Sequence, residues 1–252
     1  MIALYSLLSV VGVSLLSLLG ILFFLIDERF IAKTLLYFVS FSTGALMGDV
    51  FIHILPDMAE NQEFFARGSL IILGGIVFSF AIEKIIHWRH CHILPMSGHE
   101  HHDHHHAFGI MSIIGESMHN FIDGIIIAAS FLASVPVGIA TTLAVVFHEI
   151  PHEIGNFAVL LHSGFSKKRA LLFNLLSAST AILGTVLVLL LSTKVSPLTL
   201  YLLPFAAGNL LYIAGSDLIP ELHKHTRLHQ GIFQLLAMIA GMGFMYAMLF
   251  LE

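Results

Sequence analysis

At 252 residues, the chain is long enough for one or two soluble domains, but its composition excludes an ordinary soluble protein. Hydrophobic residues make up 57% and charged residues 11%, against roughly 45–50% and about 25% in typical soluble domains. With a mean hydropathy of +0.92, this composition predicts a polytopic membrane protein. The 11 Lys and Arg residues are dispersed and the formal charge is −5, which excludes nucleic acid as a partner. A single cysteine, Cys91, excludes an internal disulfide and a cysteine-based metal site.

Eight apolar stretches run along the chain, each near the ~20 residues that cross a ~30 Å hydrocarbon core as a helix. They cover residues 2–26, 34–55, 68–88, 108–131, 136–162, 168–192, 198–220 and 230–251. Long unbroken apolar runs favour helices over the alternating pattern of barrel strands. We therefore predict an all-α protein, a bundle of eight transmembrane helices in one domain that spans residues 1–252. The first stretch lacks a basic leader and exceeds a signal peptide in length, so we expect it to be retained.

The distribution of basic residues predicts the orientation, because cytoplasmic loops carry an excess of Lys and Arg. With the N-terminus outside, nine of the eleven basic residues lie on the cytoplasmic side, and only Arg67 and Lys194 face outward. An even number of helices then places both termini outside and the segment 89–107 in the cytoplasm. The acidic residues of the 56–67 loop, Asp57, Glu60 and Glu63, face outward, where they either attract cations or are simply solvated.

The segment His99–His106 reads HEHHDHHH. Such a composition is typical of a disordered, metal-binding tract. An engineered tag or a plain hydrophilic linker are the alternatives, although a tag normally lies at a terminus. We expect weak metal binding by this loop and no essential role in the main function.

Ionisable side chains cluster within the fourth and fifth predicted helices, where each costs at least a few kcal/mol and therefore indicates a function. The fourth contains HNFIDG (119–124) and the fifth HEIPHE (148–153). Residues four apart share a helix face. The pairs with this spacing are His119 with Asp123, His148 with His152, and Glu149 with Glu153.

Two adjacent helices would thus present imidazoles and carboxylates to each other. These donors suit Zn²⁺ and other first-row divalent ions better than Cu(I), which prefers sulfur. Small residues four apart would let the two helices approach closely; they are Gly124 and Ala128 on one helix and Ala140 and Ala144 on the other. Pro151 removes a backbone N–H, which predicts a kink or break amid the candidate ligands.

Weaker signals lie on the second and seventh predicted helices. Their strings GDVFIHILPD and GSDLIPEL are similar enough to suggest related helices in opposite orientations, or a chance match. Asp49 shares a face with His53, and Asp217 with Glu221. These four are either metal ligands at the two ends of a pathway or residues of the membrane boundary. Three further residues near helix ends are interpreted as boundary residues: Glu83, Glu116 and His162.

At HNFIDG and HEIPHE the sequence resembles the ZIP (Zrt/Irt-like) family of divalent-metal transporters, and the second motif has the form of its LIV-1 branch. The similarity extends to eight helices, outward termini and a His-rich loop between helices three and four. It implies transport of zinc, and in some members iron, manganese or cadmium (Zn²⁺, Fe²⁺, Mn²⁺ or Cd²⁺), into the cytoplasm by a homodimer in the cell membrane, the inner membrane of a prokaryote.

The resemblance also implies which residues hold the metal. One position would be formed by His119, Asp123, His148 and His152, and a neighbouring one by Asn120, Glu149 and Glu153. Two departures put the neighbouring position in doubt. Asn156 stands where the LIV-1 pattern has an aspartate, and Asn174 with Ser177 are the only polar candidates in the middle of helix six, where some relatives have a carboxylate.

Two functions from other classes remain open. HEIPH (148–152) is also an HExxH string, the zincin signature, so an intramembrane metalloprotease is the main alternative. The proline within the string and the second half-site at His119 and Asp123 argue against it. The second alternative function is a metal sensor that does not transport the metal. The sequence contains no phosphate-binding G-x-x-x-x-G-K-[ST] string, so it gives no support for pumping driven by ATP.

Overall fold

The computed structural model describes residues 1–24, 28–59, 62–92, 102–192, 199–224 and 228–251. Within these ranges the chain forms helices and short turns, and no strand. Eight helices follow one another: α1 (Ile2–Ser14, continued by the 3-10 segment Leu15–Phe24), α2 (Glu28–Gly48, the π-helical Asp49–Ile54 and Leu55–Ala59), α3 (Gln62–His92), α4 (His102–Ala133), α5 (Val135–His162), α6 (Lys167–Ala178 and Thr180–Ser192), α7 (Thr199–Tyr212, the π-helical Ile213–Leu218 and Ile219–His223) and α8 (Leu228–Met248, then the 3-10 segment Leu249–Leu251).

The structure confirms the predicted all-α class and the eight helices. Six of them are long and apolar enough to cross a membrane. The other two, α4 and α5, have 32 and 28 residues and carry the ionisable clusters. The largest differences from the predicted boundaries are at the starts of α2, α3 and α4, which begin at 28, 62 and 102 instead of 34, 68 and 108. Helix α4 is extended by the polar residues before its apolar run, because a helix satisfies its backbone in water as well as in lipid.

Pairs of glycines bring three pairs of helices into backbone contact. A Cβ atom added at any of these six glycines would lie 1.9–2.5 Å from a backbone carbonyl oxygen of the partner helix, which is far too close. The pairs are Gly44 and Gly241 between α2 and α8, Gly75 and Gly208 between α3 and α7, and Gly124 and Gly184 between α4 and α6. Close contact of this kind replaces the hydrophobic driving force that is missing between helices in lipid.

Helices α1, α4, α5 and α6 form one half of the bundle, and α2, α3, α7 and α8 form the other. None of the three glycine pairs joins the two halves. Contact between them is made mainly by α2 with α5 and by α4 with α7, and to a smaller extent by α3 with α4. There Phe147 of α5 packs edge-on against Phe41 and Phe244, with ring centroids 4.6 and 5.4 Å away. At this point the halves meet through aromatic side chains, in contrast to the glycine contacts within each half.

The expected role of Gly124 in the α4–α5 contact is wrong. Its α-carbon faces α6, where an added Cβ would be 1.9 Å from the Ala181 carbonyl oxygen. Thr185 of α6 also donates a hydrogen bond to the Gly124 carbonyl, at 2.8 Å. The other three small residues, Ala128, Ala140 and Ala144, are buried.

The similar strings on α2 and α7 fold alike, because both widen into a π-helix just before a proline. The π segments Asp49–Ile54 and Ile213–Leu218 end two residues before Pro56 and Pro220. A proline ring collides with the carbonyl four residues earlier in a regular α-helix. One extra residue in the turn relieves that collision.

Helix α5, in contrast, remains α-helical through Pro151, so the expected break is absent there. Pro151 is buried within a helix that packs against α1, α2, α4 and α6. The chain stays helical there, although one backbone hydrogen bond is missing. His148 and His152 thus keep the spacing of one helical turn.

The close approach at Gly124 predicts a loss of stability on enlargement. We expect Gly124→Ala to destabilise the protein by about 1–3 kcal/mol, since α4 and α6 must separate to admit the methyl group. Gly243→Ala is the control, because an added Cβ there meets nothing within 4 Å. Thermal unfolding in detergent micelles measures both variants. Equal unfolding midpoints would contradict the close contact.

Candidate metal centre

The α4–α5 hairpin brings the two ionisable motifs together. Ser134 is the only residue between the helices, and its extended backbone turns the chain sharply. Its hydroxyl accepts a hydrogen bond from Val137 N at 3.2 Å and so caps α5. Because the helices are then antiparallel neighbours, residues at similar distances before and after Ser134 lie beside each other.

The first group consists of four side chains whose ligand atoms lie within 4.8 Å of one another: His119, Asp123, His148 and Glu149. His119 Nε2 is 3.1 Å from Glu149 Oε1 and 3.2 Å from His148 Nε2. Asp123 Oδ2 is 3.3 Å from His148 Nε2 and 3.6 Å from His119 Nε2. Two nitrogen and two oxygen atoms thus converge on one point, which is the donor set of a divalent metal site.

The second group consists of Glu116, Glu149 and His152. His152 Nδ1 is 3.1 Å from the Glu116 carboxylate. The imidazole of His152 also stacks on that of His119, with centroids 4.5 Å apart and planes 9° from parallel. Glu149 belongs to both groups, so its carboxylate connects them.

The side chains of the two groups differ in how far they are buried. Asp123, His148 and Glu149 are fully buried, whereas the side chains of His119 and His152 are 16% and 33% exposed. Within the described residues, the buried Asn120 Oδ1 and Glu149 Oε2 accept no hydrogen bond. Leaving buried acceptors unpaired is costly, and a cation bound by Glu149 would relieve part of that cost.

The structure distributes the candidate residues differently from the resemblance. Glu149, which the resemblance assigned to the neighbouring position, lies in both groups, and His152 lies in the second. Asn120 supports the second group by donating from Nδ2 to Glu116 Oε1 at 3.1 Å. Glu153 is fully buried next to the groups but belongs to neither.

Glu116 was interpreted as a boundary residue, and this interpretation is wrong, since the residue is 5% exposed and contacts His152. The sequence did contain a signal for it. Glu116 is four residues before Asn120 and seven before Asp123, so it shares their helix face. Because the hairpin is antiparallel and His119 meets His148, the residue one turn before His119 must lie near the residue one turn after His148, which is His152.

The asparagines that depart from the LIV-1 pattern bond to each other. Asn156 Nδ2 donates to Asn174 Oδ1 at 2.7 Å, and Ser112 Oγ donates to Asn156 Oδ1 at 2.7 Å. Asn174 Nδ2 in turn donates to the backbone carbonyls of Ser17 and Glu153, at 3.2 and 3.3 Å. Neutral amides therefore link α1, α4, α5 and α6 beside the metal groups.

The four candidate pathway residues lie in different surroundings. Asp49 is fully buried in the π segment of α2. His53 Nε2 lies 3.0 Å from the backbone carbonyl of Met245. Glu221 is exposed and pairs with Lys224. Asp217, in contrast, lines a cavity with His119 and His152, so it alone of the four adjoins the candidate centre through that cavity.

This cavity of about 190 Å³ lies between α3, α4 and α7, and α5 contributes His152 to its wall. Its polar lining residues are Ser79, Glu83, His119, His152, Asn209, Tyr212 and Asp217. Since His119 and His152 contribute to both the cavity and the two groups, the cavity provides access to the centre. Glu83 is thus part of its wall, not of the membrane boundary alone.

Several predictions fall outside the described residues. Helix α4 begins at His102, so the backbone of residues 102–106 is helical where a disordered tract was expected. Residues 99–101, Glu60, and the side chains of 102–106, Glu63 and His162 lie outside what the structure describes. Asp57 is exposed.

The HExxH string does not form a zincin site. In a zincin both histidines bind one zinc ion and the glutamate positions water. Here His148 faces Asp123 while His152 pairs with Glu116, and Glu149 lies among the ligand atoms of both groups. The protease alternative is therefore not supported.

Comparison with known proteins gives a consistent result. A family model described as ZIP Zinc transporter matches residues 2–109 and 95–249. The chain is 30% identical to zinc transporter zipt-7.1 of Caenorhabditis briggsae, over 98% of this chain and 79% of that protein. It is 31% identical to a zinc transporter ZIP13 homolog of Drosophila melanogaster, over 86% and 78%. Human zinc transporter ZIP10 is 38% identical over 54% of this chain and only 17% of its own length.

The contact between Glu116 and His152 predicts a role for Glu116 in metal binding. We expect Glu116→Gln to weaken zinc binding by about tenfold or more, because the amide keeps the size but loses the charge. Ser112→Ala is the control, since it removes a hydroxyl one turn away on α4 that belongs to neither group. Zinc titration of the detergent-solubilised protein measures both. An unchanged affinity in Glu116→Gln would remove this residue from the site.

Proposed function

Because this chain belongs to the ZIP zinc transporter family, we propose that it carries zinc ions across the membrane through the two groups between α4 and α5. The chain is a multi-pass membrane protein that transports divalent metal ions. The observation that supports this route is the convergence of His119, Asp123, His148 and Glu149 inside the bundle. We propose these four as one metal position, and Glu116, Glu149 and His152 as the next.

The donor chemistry supports zinc as the substrate. Two imidazole nitrogens and two carboxylate oxygens suit a tetrahedral Zn²⁺ ion, and the two carboxylates offset its charge. Iron, manganese and cadmium accept the same ligands, so we propose them as further substrates. Asn120 and Glu153 adjoin the groups, and we assign them a supporting role, Asn120 through its hydrogen bond to Glu116 and Glu153 through its charge.

Sharing of Glu149 supports stepwise movement of the ion. An ion leaving His148 and Asp123 keeps Glu149 as a ligand while it gains His152 and Glu116. The ion then never loses all of its ligands at once, which would cost the full price of a bare charge in a low-dielectric interior. From His152 the ion reaches the cavity.

The basic residues support uptake into the cytoplasm. With the N-terminus outside, α3 and α7 end on the cytoplasmic side, and Glu83, Tyr212 and Asp217 lie in their second halves. The cavity then opens toward the cytoplasm. We further propose that the whole chain is one transporter domain that works as a homodimer, and that the segment 89–107 binds metal weakly on the cytoplasmic side.

Each ligand of the two groups should be required for transport. We expect alanine at His119, Asp123, His148 or His152 to reduce zinc uptake by about tenfold or more, because each removes a ligand from a buried site. His229→Ala is the control, since His229 is exposed at the start of α8. Radiolabelled zinc uptake into proteoliposomes measures all five variants at matched protein content. Normal uptake by His119→Ala and Asp123→Ala would overturn the proposed site.

Zinc binding should also weaken in acid. Ligand histidines bind metal only when neutral, and free histidine takes up a proton near pH 6.5. We therefore expect zinc affinity in detergent to fall between about pH 7.5 and pH 5.5, as protons compete for the imidazoles. The His148→Ala variant should show a smaller change over the same range. A constant affinity in the unmodified protein would contradict a histidine-based site.

A further inference from the structure

A chain of hydrogen bonds between α3 and α7 determines how the Asn209 amide is oriented. The Ser79 hydroxyl donates its only hydrogen to the Gly75 carbonyl at 2.9 Å, so its oxygen can only accept from Asn209. Asn209 Nδ2 donates to Ser79 Oγ, also at 2.9 Å. The amide oxygen Oδ1 therefore belongs to the branch that does not face Ser79. Asn209 is 4% exposed, and among the described residues nothing donates a hydrogen bond to this oxygen.

Asn209 lies on the face of α7 that lines the cavity. Asn209, Ile213 and Asp217 follow one another at a spacing of four, and all three belong to the cavity wall. Helix α4 packs against α7 and contributes His119 to the same wall, and α5 contributes His152. Asn209 is buried whereas Asp217 is exposed, so the asparagine lies deeper in the wall. The unpaired oxygen thus belongs to a residue that shares the cavity with both imidazoles.

We propose that Asn209 Oδ1 is a further ligand of the transported ion, which it binds together with His119 and His152 as the ion passes from the two groups into the cavity. This inference rests on the proposed function and adds to it a ligand on α7, outside the α4–α5 motifs. Two imidazole nitrogens and one neutral oxygen leave a position of a tetrahedral Zn²⁺ ion open for water. The ion therefore begins to regain water at this position.

A neutral amide oxygen suits an ion that must leave again. Sites along a conduction path must bind strongly enough for the ion to enter and weakly enough for it to leave. Each of the two metal groups contains two carboxylates, whereas the amide oxygen carries only a partial charge. Zinc binds oxygen at about 2.0–2.2 Å, closer than a water molecule approaches, so it can reach an oxygen just beneath the cavity surface. The passing ion also relieves the cost of the unpaired acceptor.

Two substitutions at Asn209 test this ligand in opposite directions. Asn209→Leu keeps the approximate size and removes the oxygen, and we expect it to lower maximal zinc flux into proteoliposomes by about three- to tenfold. Asn209→Asp keeps an oxygen and adds a charge. In detergent, zinc should leave the preloaded Asn209→Asp protein about tenfold more slowly when a chelator is added, because a carboxylate holds the cation more strongly. Gln234→Glu is the matched control, since it changes a buried amide to an acid on α8, which contributes no described residue to the cavity wall.

A double substitution separates ligation from the long-range effect of charge. If Asn209 and His152 bind the same ion, His152→Ala should remove most of the slowing caused by Asn209→Asp. Slowing that persists in full without His152 would mean that the added charge acts at a distance, and it would overturn the inference.

Two other results would also contradict this ligand. Unchanged flux in Asn209→Leu would show that the oxygen is not needed. Reduced flux in Asn209→Leu with unchanged dissociation in Asn209→Asp would mean that the amide only joins α3 to α7. All of these results leave the proposed function intact if His148→Ala still loses zinc uptake, whereas normal uptake by His148→Ala would refute that function itself.

Discussion

The structure depends on holding charged and polar ligands inside a bundle built for lipid. A buried carboxylate or imidazole without a partner is costly, so Asp123, Glu149 and the histidines must remain in contact with one another. Their contacts of 3.1–3.3 Å are made across two helices joined by one residue, Ser134. A short turn leaves little freedom for α4 to slide along α5. The geometry of the site is therefore determined mainly by the hairpin.

The rest of the bundle supports this hairpin in two different ways. Gly124 and Gly184 press α6 against the back of α4, close to Asp123, and the amides of Asn156 and Asn174 tie α5 to α6. These contacts keep the half that contains the site together. On the other side, the hairpin meets α2 and α7 through side chains such as Phe147. The cavity lies on this second side, where side-chain contacts leave space that backbone contacts would close.

Much of the fold and part of the site follow from the sequence. Apolar length predicts the eight helices, and a spacing of four predicts that His119 and Asp123 act together. Periodicity within one helix does not fix how two helices face each other. For that reason the distribution of Glu149 and His152 between the groups required the structure. The prediction of which helix contacts Gly124 was likewise wrong, because a small residue indicates that some helix approaches closely but not which one.

The prolines also show that the sequence does not determine every local distortion. Pro56, Pro151 and Pro220 all lie within helices rich in ionisable residues, yet only α2 and α7 widen into π-helices before them. The sequence shows where a proline would disturb the helix, but the surrounding contacts determine whether the helix widens into a π-helix there. Helix α5 is packed by four neighbours and keeps its regular spacing, which the ligands at His148 and His152 require. Helices α2 and α7 yield instead, and they carry Asp49 and Asp217 within their widened turns. Regular geometry is thus preserved where the metal groups lie, and among the described residues the π-helical segments occur in two helices of the other half of the bundle.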